Sequence, residues 1–201
     1  MRLAFDRFTV VLDACVLFPM IVRDVLLTLA HHEFFNPKWS DRIHDEWTSN
    51  LIARRQAAGI TEDARAQIEA TRRAMDLAFS DALVVNIPPE TAILRPVDPK
   101  DRHVAMVAIA ARADAIVTFN LRDFASDYLC AKLEMDVVYP DQFVLDLIDF
   151  NEQRAVVAIQ ELRVRKLNPP WSVDELIERI RRGGLLQTAS WLESEDVRPL
   201  L

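Results

Sequence analysis

Residues 9–13, TVVLD, run through continuous apolar positions instead of alternating ones and then stop at an acid. That pattern predicts a strand buried on both faces, with Asp13 at its carboxyl end. After Pro19 the period lengthens to that of a helix through IVRDVLLTLAHHE, and FFNPKW reads as a short extended piece. Ser40 suits the N-cap of a helix through DRIHDEWTSNLIARR, and Thr61 that of a second through EDARAQIEATRRAMDLAF. ALVV reads as a second short strand, the proline-punctuated NIPPETAILRPVDP as a loop and KDRHVAMVAIAARA as a helix; DAIVTF and DVVYP read as the third and fourth strands. Strands separated by helices require parallel crossovers, hence an α/β fold with a central parallel sheet. From about residue 141 the pattern is helical throughout. Ser172 and Glu175 form a capping box for VDELIERIRR, which stops at Gly183–Gly184. The expected organisation is an α/β domain over residues 1–150 and a helical C-terminal extension over residues 151–201.

Half of the 201 residues are apolar and 27% are charged, the composition of a folded domain and not of a disordered chain. Three glycines and no GxGxxG or Walker-type run leave little room for a glycine-built phosphate loop. Asp6, Arg7 and Asp13 break the first apolar stretch, so it lacks the form of a signal peptide, and no segment approaches the ~20 apolar residues of a membrane span. Cys15 and Cys130 can pair only once and form no ligand cluster, which points to a reducing, cytoplasmic compartment, with Cys15 as a small core residue. The four histidines show no ligand spacing, which argues against zinc. The net charge of −7 lies wholly in residues 1–150, where 23 acids face 16 Lys and Arg. That surplus is either ordinary solubility charge or the concentrated charge of a metal site.

Strand ends and helix phase decide which acids converge. In an open parallel sheet, functional groups gather at the carboxyl ends of the strands. Asp13 ends the first strand, and IVTFNLRDF places Thr118, Asn120 and Asp123 at the end of the third. On the helix after Ser40, Trp39, Ile43, Trp47 and Leu51 form an inward stripe. Glu46 lies about 60° from Ile43, at the stripe's edge, whereas Asp41 and Asp45 point away. Asp101 shares a face with Val104 and Ala108 at a helix N-terminus, where a carboxylate is favoured. Acids brought within ~4 Å repel by about 1 kcal/mol per pair in water and about 4 at an effective dielectric of 20. A hard divalent cation, Mg²⁺ or Mn²⁺, would relieve that repulsion and leave room for a phosphate. Taken singly, each acid has a plainer role: an acid at a strand end, such as Asp13, as a helix N-cap, Asp101 as a capping-box partner, and Asp123 as the start of the short helix DFASDYL.

The segments VVLDACVLFP, WSDRIHDEW, DRHVAMVAIAARADAIVTFNLRDF and VVYPDQF, in this order over residues 9–143, resemble those of PIN-domain nucleases. The resemblance implies a three-layer α/β/α fold and Mg²⁺- or Mn²⁺-dependent cleavage of RNA phosphodiesters. It matches Asp13, Glu46, Asp101 and Asp123 to the family's acidic quartet as metal ligands, and Thr118 and Asn120 to the polar positions beside the last acid. Asn120 and Asp123 compete for the place of the more direct ligand. Many stand-alone bacterial members resemble VapC-type toxins, homodimers restrained by a cognate antitoxin; a housekeeping RNA-processing nuclease and a catalytically degenerate binding module are the alternatives. In the reaction so implied, Glu46 binds through water or accepts a proton, and Asn120 or Thr118 orients the attacking water. Arg54, Arg55, Arg72, Arg73, Arg179, Arg181 and Arg182 are the candidates for phosphate contacts, each with the plainer role of a solvated surface charge. No membrane partner is expected.

Overall fold

The computed structural model describes residues 8–60 and 64–201. Four parallel strands, β1 (Thr9–Leu12), β2 (Asn36–Lys38), β3 (Ala115–Val117) and β4 (Asp136–Val138), form one sheet in the order β2-β1-β3-β4. Every residue of Val10–Leu12 and of β3 is completely buried. Successive strand residues point to opposite faces, so both faces of the sheet are covered and the domain has three layers, α/β/α.

The helices are α1 (Ala14–Leu17), α2 (Met20–His31), α3 (Asp41–Ala57), α4 (Ala64–Ala78), α5 (Arg102–Ala111), α6 (Ser126–Leu133), α7 (Pro140–Phe150), α8 (Glu152–Val164), α9 (Val173–Arg182) and α10 (Leu186–Leu192). The buried Ala105 and Ala108 let α5 lie against β1, β2 and β3. The inward stripe of α3 is as expected: Ile43 and Trp47 are completely buried, as is Trp39 just before the helix. Asp76 of α4 accepts from Trp39 Nε1 at 2.9 Å and faces His44 Nε2 at 3.1 Å. His44 Nδ1 accepts from Trp47 Nε1 at 2.9 Å, so Nε2 carries the proton and the ring is neutral. Burial, which holds the His44 pKa below its ordinary value, favours the same state. On the far side of α3, Asp41 and Asp45 pair with Arg72 of α4.

The structure departs from the expected elements in three places. The second strand is Asn36–Lys38, inside FFNPKW, and ALVV contributes only a single bridge from Leu83 to Trp39. Pro37 has no N–H to give, which an edge strand tolerates. The outer side of that edge is covered through Trp39 N to Ala82 O at 3.0 Å and Val84 N to Trp39 O at 2.8 Å. The long helix expected after residue 141 breaks at Asn151, whose side chain accepts from Arg154 N and caps α8. Finally, α5 begins at Arg102, after a turn in which Arg102 N donates to Asp98 O at 3.1 Å. The expected cap Thr61 lies outside the described residues.

The helices after residue 140 return to the core. The capping box of α9 forms as expected. Its C-terminal Gly183 lies so close to α2 that a Cβ there would stand 2.7 Å from Ile21 Cγ2, and a Cβ on Gly184 would meet the Phe119 ring at 3.5 Å. Among the described residues no helix is long and apolar enough to cross a membrane.

Candidate active site

The strand order places a reversal between β1 and β3: the chain leaves β1 toward β2 on one side, and β3 lies on the other. Crevices form at the carboxyl ends of strands flanking such a reversal. Asp13 follows β1 and Thr118 follows β3, and Asp13 N donates to Val117 O at 3.2 Å. An open cavity of 560 Å³ begins there, lined by Asp13, Cys15, Phe18, Glu46, Asn50, Asp101 and Asn120.

Asp13 is 3% exposed and is held by two short bonds to one oxygen. Thr118 Oγ1 donates to its Oδ2 at 2.7 Å, and Cys15 Sγ donates to the same oxygen at 3.0 Å. Backbone groups fix both donors: Asn120 N donates to Thr118 Oγ1 at 3.0 Å and Phe119 N to Cys15 Sγ at 3.2 Å. Burial, with the negative charge of Asp13 second, pushes the Cys15 thiol well above its ordinary pKa, so it remains a protonated donor. Both bonds fall on Oδ2, which leaves Oδ1 without a partner among the described residues.

Asp101 stands at the N-cap of α5, yet its side chain makes no capping bond. Burial raises its carboxyl to about 6, and Asp13, Asp123, Asp98 and Glu46 add to the rise. Glu46 is also raised, first by burial, against the lowering effect of Arg42, whose Nε lies 3.3 Å from Oε1. His103 Nε2 comes within 2.9 Å of Glu46 Oε1, but in a poor orientation: neither ring nitrogen has a hydrogen-bond partner. Burial and then Arg42 pull His103 down to about 4, so the contact is with a neutral ring at neutral pH.

Of the residues singled out in the sequence, Asp13, Glu46, Asp101 and Asn120 line one cavity, and Thr118 is completely buried behind Asp13. Asp123 does not line it; its charge acts on Asp101, and its carbonyl accepts from Asp98 N at 2.7 Å. Cys15, Asn50 and His103 were not expected at the site. Cys15 is not the inert core residue that its apolar setting implies. Asn50 was readable as the residue one turn beyond Glu46 on the same helix face.

The charged groups that act most strongly on Asp101 are all acids: Asp13, Asp123, Asp98 and Glu46. The oxygen donors lining the cavity are the carboxylates of Asp13, Glu46 and Asp101 and the carboxamides of Asn50 and Asn120, all hard, and such a set fits Mg²⁺ or Mn²⁺ better than a softer metal. Among the described residues, no three His, Cys, Asp or Glu side chains are yet drawn together tightly enough to hold an ion.

The chain matches the PIN domain family model over residues 9–122, from β1 through Asn120. It matches the VapC50 C-terminal domain model over residues 140–194, which takes in α7 to most of the end of the chain. It is 33% identical over 81 residues to "Putative ribonuclease VapC50" of Mycobacterium tuberculosis (strain ATCC 25618 / H37Rv), a stretch covering 40% of this chain and 47% of that protein. The match therefore spans about half the length of that relative. No solved structure matches.

Proposed function

The chain belongs to the PIN-domain family, and from that premise we propose that it is a metal-dependent endoribonuclease of the VapC type, the toxin of a type II toxin–antitoxin pair. The observation that carries this reading is the convergence of Asp13, Glu46, Asp101 and Asn120 on one open cavity, with the Asp101 carboxyl raised to about 6. Residues 1–150 form the nuclease domain and residues 151–201 the helical extension, although the second family match takes in α7 as well. The working form is a homodimer held in check by an antitoxin in the cytoplasm, a setting in keeping with the unpaired thiols of Cys15 and Cys130.

The free Oδ1 of Asp13, the Asp101 carboxylate and the Asn120 side chain would hold the cation. Asn120 is the more direct ligand because it lines the cavity and Asp123 does not. A bound Mg²⁺ or Mn²⁺ supplies Lewis acidity, lowering the pKa of water and offsetting charge on phosphate oxygens. Thr118 and Cys15 position Asp13 by fixing its other oxygen. Glu46 accepts the proton of the attacking water at its carboxylate, for which a raised pKa is an advantage.

The purified protein is expected to cleave single-stranded RNA only with Mg²⁺ or Mn²⁺, leaving a 5′-phosphate, and Asp13→Asn to leave the RNA intact. Undiminished cleavage in excess EDTA would refute the metal mechanism. Induced expression of wild type and Asp13→Asn in a heterologous bacterium, with mapping of RNA ends, tests the toxin assignment. Cleavage in vitro without Asp13-dependent growth arrest would point to an RNA-processing nuclease.

A further inference from the structure

Beside the acidic cavity lies a second open groove, of 680 Å³, between the start of α2, the end of α3 and α9. Phe18 lines the first cavity, and the next residues, Pro19 to Ile21, line the second, so the two adjoin along the chain. They adjoin along α3 as well: Asn50 faces the first and Arg54, one turn later, faces the second. The Arg54 guanidinium lies over the Phe18 ring, 5.6 Å from its centroid, at the junction.

Charge in this groove is sorted. Its three acids are all engaged: Asp174 with Arg198 at 2.6 Å, Glu175 in the capping box of α9, and Glu178 with Arg182 at 2.7 Å and Arg181 at 3.3 Å. Two of its cations are not. Among the described residues neither Arg54 nor Arg179 has a carboxylate partner; Arg54 covers Phe18, and Arg179 covers Trp171 at 4.5 Å. The other candidates for phosphate contact are largely occupied: Arg72 by Asp41 and Asp45, Arg181 by Glu193 and Glu178, and Arg55 by Gln67. Arg54 and Arg179 therefore place two cations without a carboxylate partner beside the acidic cavity, one from the PIN-matching region and one from α9, whereas the exposed Arg73 lies outside the groove.

We propose that this groove carries the single RNA strand on one side of the scissile bond, with Arg54 and Arg179 gripping neighbouring phosphates and Phe18 offering its ring to a base. The inference rests on the nuclease reading and adds to it that the C-terminal extension supplies part of the substrate site. Two concavities in line, with an aromatic ring between them and cations in the second, suit a flexible strand, whose phosphates and base faces are both exposed. A single strand also explains how a chain with an acidic surplus binds a polyanion: the acids act at one phosphate and unpaired arginines at the next ones.

The test is the binding of a fluorescent single-stranded RNA of about a dozen nucleotides to the full-length Asp13→Asn protein, titrated over a range of salt. In that background Arg54→Gln with Arg179→Gln should weaken binding at least about 10-fold and flatten the plot of log K against log salt by about 1.4, two phosphates at about 0.7 each. Arg54→Lys with Arg179→Lys should restore most of the slope. Arg73→Gln, an exposed position outside the groove, should change neither quantity. Arg54→Gln alone, at an exposed position whose guanidinium lies over Phe18, should flatten the plot by about 0.7, and it stands as the test should the pair disturb folding. Unchanged affinity and slope would overturn the proposal and leave the arginines as partners of helix C-termini only. Asp13-dependent RNA cleavage by a chain whose groove variants bind normally would refute the track and spare the nuclease reading. Failure of the Asp13→Asn protein to bind RNA at all would overturn the track, and absence of any cleavage by wild type would overturn the nuclease reading itself.

Discussion

Asp101→Asn is expected to reduce RNA cleavage by at least about 10³-fold, which corresponds to about 4 kcal/mol of transition-state stabilisation, and yet to raise the melting temperature of the metal-free protein. The side chain makes no capping bond, so the variant breaks none and gives up only the modest attraction of a charge to the N-terminus of α5. Burial and the surrounding acids hold its carboxyl at about 6, above its ordinary value of 3.8, so the folded protein binds this proton more tightly than the unfolded chain does. The associated stability is fully present below about pH 4 and is lost as the pH rises through about 6. The gain from Asn should therefore appear above pH 6 and vanish below pH 4. Because the carboxylate is only partly buried, screening reduces that gain to about 1 kcal/mol, or about 2–4 °C. Mn²⁺ should raise the melting temperature of wild type and hardly change that of the variant. Asp98→Ala makes the contrast. Its Oδ1 accepts from Lys100 N at 2.9 Å, so the variant should lose about 1 kcal/mol and continue to cleave. Thermal melts paired with nuclease assays decide the matter: an active Asp101→Asn beside an inactive Asp98→Ala would place the site on the wrong carboxylate.

The largest loss of stability is expected from Asp141→Ala, at a residue remote from the acids. Asp141 lies in the first turn of α7, 4% exposed, and reaches across to the N-terminus of α10, whose own N-cap residue Leu185 offers no side-chain bond. One oxygen accepts from Gln187 N at 2.8 Å; the other accepts from Thr188 N at 2.9 Å and Thr188 Oγ1 at 2.7 Å. The carboxylate thus satisfies two otherwise unpaired amides and lies near the positive ends of two helices. Alanine leaves two buried donors on Thr188 and the part-buried Gln187 N–H without this acceptor, an expected cost of about 3–4 kcal/mol, or roughly 6–16 °C. Asp141→Asn retains an acceptor and should cost less. Chemical denaturation of both variants measures the effect, and a loss under about 1 kcal/mol for alanine would mean that α10 is held by packing alone.

The parts of the site that were legible in the sequence are those governed by period. Asp13 follows from an apolar run that ends in an acid, and Glu46 and Asp101 from the phase of helices whose inward stripes are unambiguous. What stayed hidden depends on contacts between distant segments. Cys15 reads as core because its neighbours are apolar; its partner Thr118 lies 103 residues away in sequence. Asp141 resembles any first-turn acid until α10 is placed against it. The edge strand is not legible in the sequence because Asn36-Pro37-Lys38 has little strand character of its own and is extended by pairing with β1. Which arginines are free was likewise unreadable, because Arg72 and Arg181 differ from Arg54 and Arg179 only in the acids that other helices bring to them.

The central position of β1 also sets an order of events during synthesis. Its first partner, β2, follows within some 27 residues, but Val10 pairs with Ala115 and Asp13 with Thr118, each 105 residues further along the chain. At ordinary translation speeds that interval takes on the order of 5–20 s. For most of it the nascent chain holds Asp13, joined by Glu46, but lacks the strand that fixes the first of them and the helix that begins after Asp101. The ribosome that makes this protein is thus never faced with an assembled cleft until most of the chain has emerged, and any inhibitor that acts co-translationally must recognise local elements of the early chain instead of the finished site.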